Sequence, residues 1–292
     1  MRPEPLPRPL GLDGEPRRVG VELESAGPSA RDATLLLRQL RGGRIVELDP
    51  YRFEVEGTAL GDVRVELDLR LAHPPKGAGK TSPRALLARA MGWVASPLAQ
   101  VELIFAPLPP ARLPELDGLV GEMTGRVPGL RFDGPHLNPE VASVAPGYLL
   151  AHLRAFCRLA PDLRKEMGLP EPRRWGFTGA FPPAYQALLA DPGYRPDLGR
   201  LIEDYLQANP TRYRELDMLP LFMHLAPKRV APRLRLQKIT PRPVFHWRMP
   251  GARPFAGVVT DWNRWVAVER LAAASWDAAD PAHRSYGFAA TS

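Results

Sequence analysis

The chain has 292 residues, 45% of them hydrophobic, and is therefore long enough to bury a substantial core. Its formal net charge is +7, but only five of its 39 basic residues are lysines and the arginines are scattered, which argues against a nucleic-acid-binding surface. It shows neither an apolar run long enough to cross a bilayer nor the apolar region of a signal peptide, so we expect a soluble, cytoplasmic protein.

The first 145 residues predict strands with interspersed helices. Residues 1–16 are rich in proline and arginine and predict an extended tail or an edge segment. A strand over Arg18–Glu24 precedes a helix from Ser29 to Leu40, which the Gly42-Gly43 pair closes. Further strands are predicted over Arg44–Leu48, Tyr51–Glu56, Val63–Leu69 and Val101–Phe105, and further helices over Ser82–Met91 and Leu113–Gly125. This pattern is typical of the α+β class.

The chain becomes mostly helical from about residue 146. Long helical patterns cover Gly147–Met167 and Asp197–Ala208, and Asn209-Pro210 ends the second. A strand over Val244–Arg248 and a helix from Asp261 to about Ala274 follow. We therefore expect one domain over residues 17–275, with a mostly helical insertion at about 146–235 and a tail over 276–292.

Paired acidic residues recur on the predicted strands. Glu22 and Glu24 lie two residues apart and so project to one face of their strand. Glu66 and Asp68 repeat the pattern, and a third strand carries Glu102. If these strands are neighbours, the acids repel one another unless cations lie among them, and hard oxygen ligands suit Mg²⁺ or Mn²⁺. The alternative is the solvated face of an edge strand, although acids are poor strand formers.

Two later strands each carry a pair of polar side chains on one face. His136 is accompanied by Asn138, and His246 by Arg248. His136 is either a buried structural histidine or a ligand to a metal or phosphate beside the carboxylates. The planar guanidinium of Arg248 suits phosphate, whereas the alternative is a surface arginine on an edge strand.

A dense polar segment follows the helix that ends at Asn209. Loops of this kind on a rigid scaffold often bind ligands. The candidate contacts to nucleotide phosphates or to a substrate carboxylate are Arg212, Arg214, Lys238 and Arg242. The single cysteine, Cys157, lies in an apolar helical pattern and is expected to be a packing residue rather than a nucleophile.

Several segments together resemble the amidoligase family, a remote branch of the glutamine synthetase and glutamate–cysteine ligase superfamily. They occur in the same order from about residue 17 to residue 275: Gly20–Glu24, Gly61–Asp68, Val101-Glu102 with the following Pro-Leu-Pro-Pro, His136–Glu140, Asn209–Arg212, Leu216–Pro220, Lys238–Arg248 and Asp261–Trp265. The resemblance implies an antiparallel sheet curved into a half-funnel, with helices on its outer face. It also implies ATP at one end of the funnel, the acceptor at the other, and two or three Mg²⁺ ions between them.

The resemblance also implies ligand residues. Glu22 and Glu24 match the paired metal acids of the first funnel strand, and Glu66 and Glu102 resemble the further metal acids. His136 resembles the histidine beside the nucleotide phosphates, and we expect Asn138, Arg212, Lys238 and Arg242 to contribute to nucleotide binding.

One position departs from the superfamily. His246-x-Arg248 falls where the superfamily has a Glu-x-Arg pair, and histidine can ligate a metal but contributes no negative charge. Arg248 is the candidate to take up charge during phosphoryl transfer, and Asp68 the candidate base for the attacking amine.

The sequence therefore favours an ATP- and Mg²⁺-dependent amidoligase that joins a carboxylate to an amine, such as an amino acid or peptide, through an acyl phosphate. The alternatives are a catalytically silent member that binds peptides or proteins, which His246 leaves open, and a metal-dependent hydrolase. Trp262 and Trp265 suit either the core or the interface of a homo-oligomer. We expect no membrane partner.

Overall fold

The computed structural model describes residues 1–68, 100–169, 179–234, 239–249 and 255–279. Its strands are β1 (Val19–Ala26), β2 (Arg44–Asp49), β3 (Arg52–Thr58), β4 (Gly61–Leu67), β5 (Val101–Leu108), β6 (Arg131–Pro139), β7 (Leu216–Asp217) and β8 (His246–Trp247). Its α-helices are α1 (Ala30–Arg41), α2 (Leu113–Arg126), α3 (Pro146–Glu166), α4 (Pro183–Ala190), α5 (Leu198–Ala208), α6 (Leu219–Leu225), α7 (Pro227–Val230) and α8 (Val258–Ala279). The helix predicted over Ser82–Met91 lies outside the described residues.

The strands form an open sheet in the order β2-β3-β4-β5-β1-β6-β8-β7. The pairs β2–β3, β3–β4, β4–β5, β6–β8 and β7–β8 are antiparallel. The described chain is thus a mixed α/β structure, as the strand and helix patterns predict. None of its helices, within the described ranges, is both long and apolar enough to cross a membrane.

The chain divides into two compact units. We call one the sheet unit (Gly20–Pro135 and Pro254–Val258) and the other the helical unit (Met1–Val19, His136–Arg253 and Val259–Ser292).

The sheet unit is built by short-range signals. Ser29 caps α1 by accepting a hydrogen bond from the backbone N–H of Asp32, and Gly42 ends the helix with φ of 73°. Hairpins join β2 to β3 and β3 to β4, and the Ser25 hydroxyl donates to the Val101 carbonyl at 3.0 Å. α1 packs on β3 and β4 and buries the side chain of Leu37. The helix predicted from Ser29 to Leu40 is confirmed within a residue, and the strands predicted over Arg44–Leu48 and Tyr51–Glu56 are present as β2 and β3.

The helical unit has a core of aromatic side chains. Tyr148, Trp247 and Trp265 are each fully buried, and the ring centroids of Trp247 and Trp265 lie 5.8 Å apart. Asp197 caps α5 by accepting from the backbone N–H of Arg200 at 2.8 Å. The predicted helices over Gly147–Met167 and Asp197–Ala208 are confirmed within a residue or two.

The N-terminal segment runs along α8 within the helical unit. The backbone N–H of Glu4 donates to the Asn263 side chain at 2.8 Å, and the indole N–H of Trp262 donates to the Glu4 carbonyl at 2.9 Å. Arg8 pairs with Asp277 and lies over the ring of Trp276. These contacts order a segment that its composition alone describes as an extended tail.

A buried ionic group lies in the same unit. The Arg17 guanidinium donates to both carboxylate oxygens of Glu269, at 2.6 and 3.2 Å, and both side chains are at most 1% exposed. Glu269 also lies 3.3 Å from the Nε2 atom of His152, whose Nδ1 lies 2.8 Å from the Tyr148 carbonyl. Since the carbonyl can only accept, Nδ1 is the donor in that bond. Arg17, which lies two residues before β1, is thus held to α8 by an ion pair.

Candidate active site

The acids of three adjacent strands converge in the sheet unit. β4, β5 and β1 are neighbours in the sheet, so Glu102 of β5 lies between the strand that carries Glu66 and the strand that carries Glu22 and Glu24. The backbone N–H of Asp68 donates to the Gln100 carbonyl at 2.8 Å and fixes the end of β4 beside β5. The convergence that the recurring acid pairs predict is therefore present.

Four carboxylates in this region interact electrostatically. Burial raises the pKa of Glu102 well above its usual range, and the negative charges of Glu22, Asp68 and Glu24 raise it further. A side-chain hydrogen bond to Glu22 acts in the same direction. We call Glu22, Glu24, Asp68 and Glu102 the acidic cluster. A positive charge among these carboxylates would reduce their mutual repulsion.

Glu66 is placed beside the cluster but interacts elsewhere. It lies directly opposite Glu102 in the β4–β5 register. Its carboxylate accepts a hydrogen bond from the Arg52 guanidinium at 2.6 Å, and Arg52 also lies 3.8 Å from Asp49. An arginine on the neighbouring strand thus neutralises Glu66, and its assignment to a metal stays a prediction.

The later polar pairs share one face of the strands in the helical unit. Leu137 of β6 lies opposite Trp247 of β8. Because side chains alternate along strands, the residues flanking that apolar pair project to the other face. The rings of His136 and His246 lie 5.7 Å apart, edge to face. The structure thus brings together the polar residues predicted from both segments: His136, Asn138, His246 and Arg248.

Three of the side chains on this polar face are buried. His136 is 6% exposed, Asn138 2% and His246 8%. A buried polar group costs free energy unless it makes a hydrogen bond, so three of them on one face indicate a dedicated polar environment.

Tyr213 brings two of the predicted arginines together. The Arg212 guanidinium lies 5.5 Å and that of Arg248 5.6 Å from the centroid of the Tyr213 ring, within the range of a cation–π contact. The backbone N–H of Arg248 donates to the Glu215 carbonyl at 2.7 Å. Two guanidinium groups thus flank one exposed aromatic ring.

The other residues singled out from the sequence make different contacts or lie outside the described residues. Arg214 donates to the Ala180 carbonyl at 2.8 Å, and burial lowers the pKa of its guanidinium. Arg242 is half-buried, and its backbone N–H donates to the Pro220 carbonyl at 3.1 Å. Lys238 lies outside the described residues. Burial raises the pKa of the Cys157 thiol to about 12, which supports its prediction as a packing residue.

Sequence reasoning missed Asp217 as a candidate site residue. It lies opposite His246 in the β7–β8 register, is 2% exposed, and has Oδ2 3.7 Å from Nδ1 of His246. The available signal was an acid embedded in the apolar run Leu216–Leu221. Its partner is set by a strand pair of only two residues each, which no periodicity reveals.

Side chains able to hold a metal ion occur in both units. Carboxylate ligands come from Glu22, Glu24 and Glu102 in the sheet unit, and imidazole ligands from His136 and His246 in the helical unit. Carboxylates suit Mg²⁺ and Mn²⁺, whereas imidazole suits the later transition metals and Mn²⁺ better than Mg²⁺.

Comparisons with known proteins agree with the sequence pattern. A family model described as "Putative amidoligase enzyme" matches residues 15–268, which is most of the chain. No curated protein and no solved structure matches the chain. The matched span includes the acidic cluster and the polar face of the helical unit.

Proposed function

Because the chain belongs to the amidoligase family, we propose that it is an ATP- and Mg²⁺-dependent carboxylate–amine ligase that forms an amide or isopeptide bond. In the proposed reaction, a substrate carboxylate attacks the γ-phosphate of ATP and releases ADP. An amine, from an amino acid or peptide, then displaces phosphate from the acyl phosphate.

The observation that carries this proposal is the acidic cluster. Burial and, after it, three neighbouring carboxylates raise the pKa of Glu102, and the second of these causes would be offset by a positive charge placed among the carboxylates. A divalent cation would supply that charge and keep Glu102 ionised. The candidate ligands in the sheet unit are Glu22, Glu24 and Glu102, all hard oxygen donors.

The chemistry requires such an ion because ATP and a carboxylate repel each other. A bound divalent cation would neutralise phosphate charge and make the γ-phosphorus accessible to an anionic nucleophile. Arg248 is our candidate for stabilising charge as phosphate is transferred, since its planar fork can contact two phosphate oxygens. Arg212, on the same tyrosine ring, is the candidate for holding the substrate or nucleotide anion.

The amine must lose a proton before or during its attack. Asp68 is the candidate acceptor because it is the exposed member of the acidic cluster, whereas Glu22 is buried. His136 and Asn138 are the candidates to contact the nucleotide.

The test is product analysis with purified protein. Incubation with Mg²⁺-ATP and pooled carboxylates, amino acids and peptides should release ADP and phosphate together with a new amide. Release of AMP and diphosphate would contradict the acyl-phosphate route. Amide hydrolysis without any nucleotide would support a metal-dependent hydrolase instead.

Two variants distinguish the loss of a carboxylate of the acidic cluster from the loss of any carboxylate. Glu22→Gln should abolish ADP release, since it removes one cluster carboxylate. Glu47→Gln should leave it unchanged because Glu47 is an exposed acid of β2 that lies 3.7 Å from Arg31. Equal activity in both variants would refute the assignment of the cluster.

One observation favours a second function, a silent peptide- or protein-binding member. By the resemblance, His246 stands where the superfamily has an acid, and the imidazole itself contributes no negative charge to a metal site. Calorimetry distinguishes the two functions: a ligase binds Mg²⁺ and ATP, and a silent member binds neither.

A further inference from the structure

The strand pair β7–β8 places a buried carboxylate behind His246. Asp217 and His246 lie directly opposite each other, and both side chains project to the same face. Oδ2 of Asp217 lies 3.7 Å from Nδ1 of His246, and the two side chains are 3% and 11% exposed. The pair is thus a close electrostatic contact in a region with little water.

Neighbouring groups fix the orientation of the Asp217 carboxylate. Its Oδ1 accepts a hydrogen bond from the backbone N–H of Leu219 at 2.9 Å and lies 3.5 Å from the Tyr205 hydroxyl. That hydroxyl also accepts from the backbone N–H of Met218 at 3.1 Å. With Oδ1 held by these donors, Oδ2 is the oxygen directed at His246.

We propose that Asp217 is a positioning residue that holds the proton of His246 on Nδ1 and thereby presents the Nε2 lone pair to a divalent cation; this rests on the proposed function. A carboxylate can only accept a hydrogen bond, so its contact with Nδ1 favours the tautomer that carries its proton there. Carboxylates behind metal-ligating histidines act in this way and raise the basicity of the ligand.

Asp217 also restores the charge that His246 lacks. Glutamate at this position would bring one negative charge, and a neutral histidine backed by an ionised aspartate brings the same total. That charge would act on a bound ion through the imidazole ring. Asp217 and His246 together thus carry one negative charge on a two-residue unit.

The first experiment measures Mn²⁺ affinity by electron paramagnetic resonance titration of the whole chain. Asp217→Asn should weaken Mn²⁺ binding by about 10- to 100-fold, the usual cost of losing such a partner. Asp204→Asn is the matched control: Asp204 is also a buried carboxylate that contacts a tyrosine, Tyr194, at 2.9 Å, and it pairs with Arg200. The control should leave Mn²⁺ affinity unchanged even if it lowers the melting temperature.

The second experiment reads the tautomer of His246 by ¹⁵N NMR of metal-free protein, at a pH where the ring is neutral. The wild-type chain should carry the proton on Nδ1, with the signal assigned by its loss in His246→Gln. In Asp217→Asn the amide oxygen stays with the Leu219 N–H, so the NH₂ group faces Nδ1. The ring should therefore switch to the Nε2–H tautomer.

The two experiments distinguish failure of the proposed function from failure of the positioning role of Asp217. A wild-type chain that binds neither Mn²⁺ nor Mg²⁺ would refute the metal-dependent function, while the NMR measurement would still decide the role of Asp217. Mn²⁺ binding that is equal in wild type and Asp217→Asn would overturn the positioning role and leave the function standing. If Asp217→Asn does not fold, the wild-type spectrum decides alone: an Nε2–H tautomer at His246 overturns the proposal.

Discussion

The Arg17–Glu269 pair should stabilise the native chain by an amount of free energy that follows from the pKa of Glu269. The charges of Arg17 and His152 oppose the burial of Glu269 and hold the pKa of its carboxyl at about 2, below the usual 4.5. A difference of roughly 2.5 units corresponds to about 3 kcal/mol of native-state stability at neutral pH. Glu269→Gln removes this stabilisation and leaves the Arg17 guanidinium buried without its counter-charge. We therefore expect it to lower the free energy of unfolding by about 3 to 5 kcal/mol at pH 7.

The stabilisation by Glu269 should depend on pH. Because the pKa of Glu269 is depressed in the folded chain, its stabilisation is complete above about pH 4.5 and is lost as the pH falls towards 2. At about pH 3 only about 1 kcal/mol of it is left. The difference in stability between wild type and Glu269→Gln should thus shrink by about 2 kcal/mol between pH 7 and pH 3.

Urea unfolding followed by tryptophan fluorescence measures this difference. Four tryptophans lie among the described residues of the helical unit, which also contains the pair: Trp247, Trp262, Trp265 and Trp276. The control is Glu115→Gln, which breaks a similar two-point contact with Arg112, at 2.7 and 2.8 Å, on the surface. Exposed pairs contribute little, so this variant should unfold near the wild-type midpoint.

Two results would contradict a charge-based role for Glu269. A loss that is equal at pH 7 and pH 3 would assign the effect of Glu269→Gln to packing rather than to charge. Equal losses in Glu269→Gln and Glu115→Gln would show that burial does not set the strength of these pairs.

Three further outcomes are expected. Asp197→Ala should lower the free energy of unfolding by about 1 kcal/mol because α5 loses its N-terminal cap, and urea unfolding measures this. Cys157 in the native chain should be alkylated on the order of a thousandfold more slowly than in the unfolded chain, since burial raises the pKa of its thiol to about 12; a mass-spectrometric time course checks the ratio. If Arg248 contacts the transferred phosphate as proposed, Arg248→Lys should lower the rate of ADP release by about tenfold to a hundredfold while the chain keeps its melting temperature, because lysine cannot make a two-point contact with phosphate.

Short-range patterns carried most of what the sequence predicted. Ser29 and Gly42 mark the ends of α1, and Asp197 and Asn209 flank α5, because caps act within a single turn of helix. The spacing of the acid pairs predicted a shared face, since side chains alternate along any strand. The acidic cluster was therefore accessible from sequence once its strands were assumed to be neighbours.

Long-range pairing decided the rest. Arg52 and Glu66 lie 14 residues apart on the two strands of one hairpin, and only the β3–β4 register brings their side chains together. The predicted strand over Val244–Arg248 is reduced to His246–Trp247, with Val244 joined to Glu140 by an isolated bridge. Alternation in sequence does not determine how many residues find a partner on the next strand.

The use of histidine at position 246 bears on which ion the site selects. Carboxylate oxygen suits Mg²⁺, whereas an imidazole nitrogen favours metals later in the first transition row, so each acid replaced by histidine weakens the preference for Mg²⁺. A backing carboxylate at Asp217 strengthens the nitrogen as a donor, which acts in the same direction. If His246 ligates the ion as proposed, the chain should bind Mn²⁺ more tightly than Mg²⁺, and His246→Glu should narrow that difference in affinity.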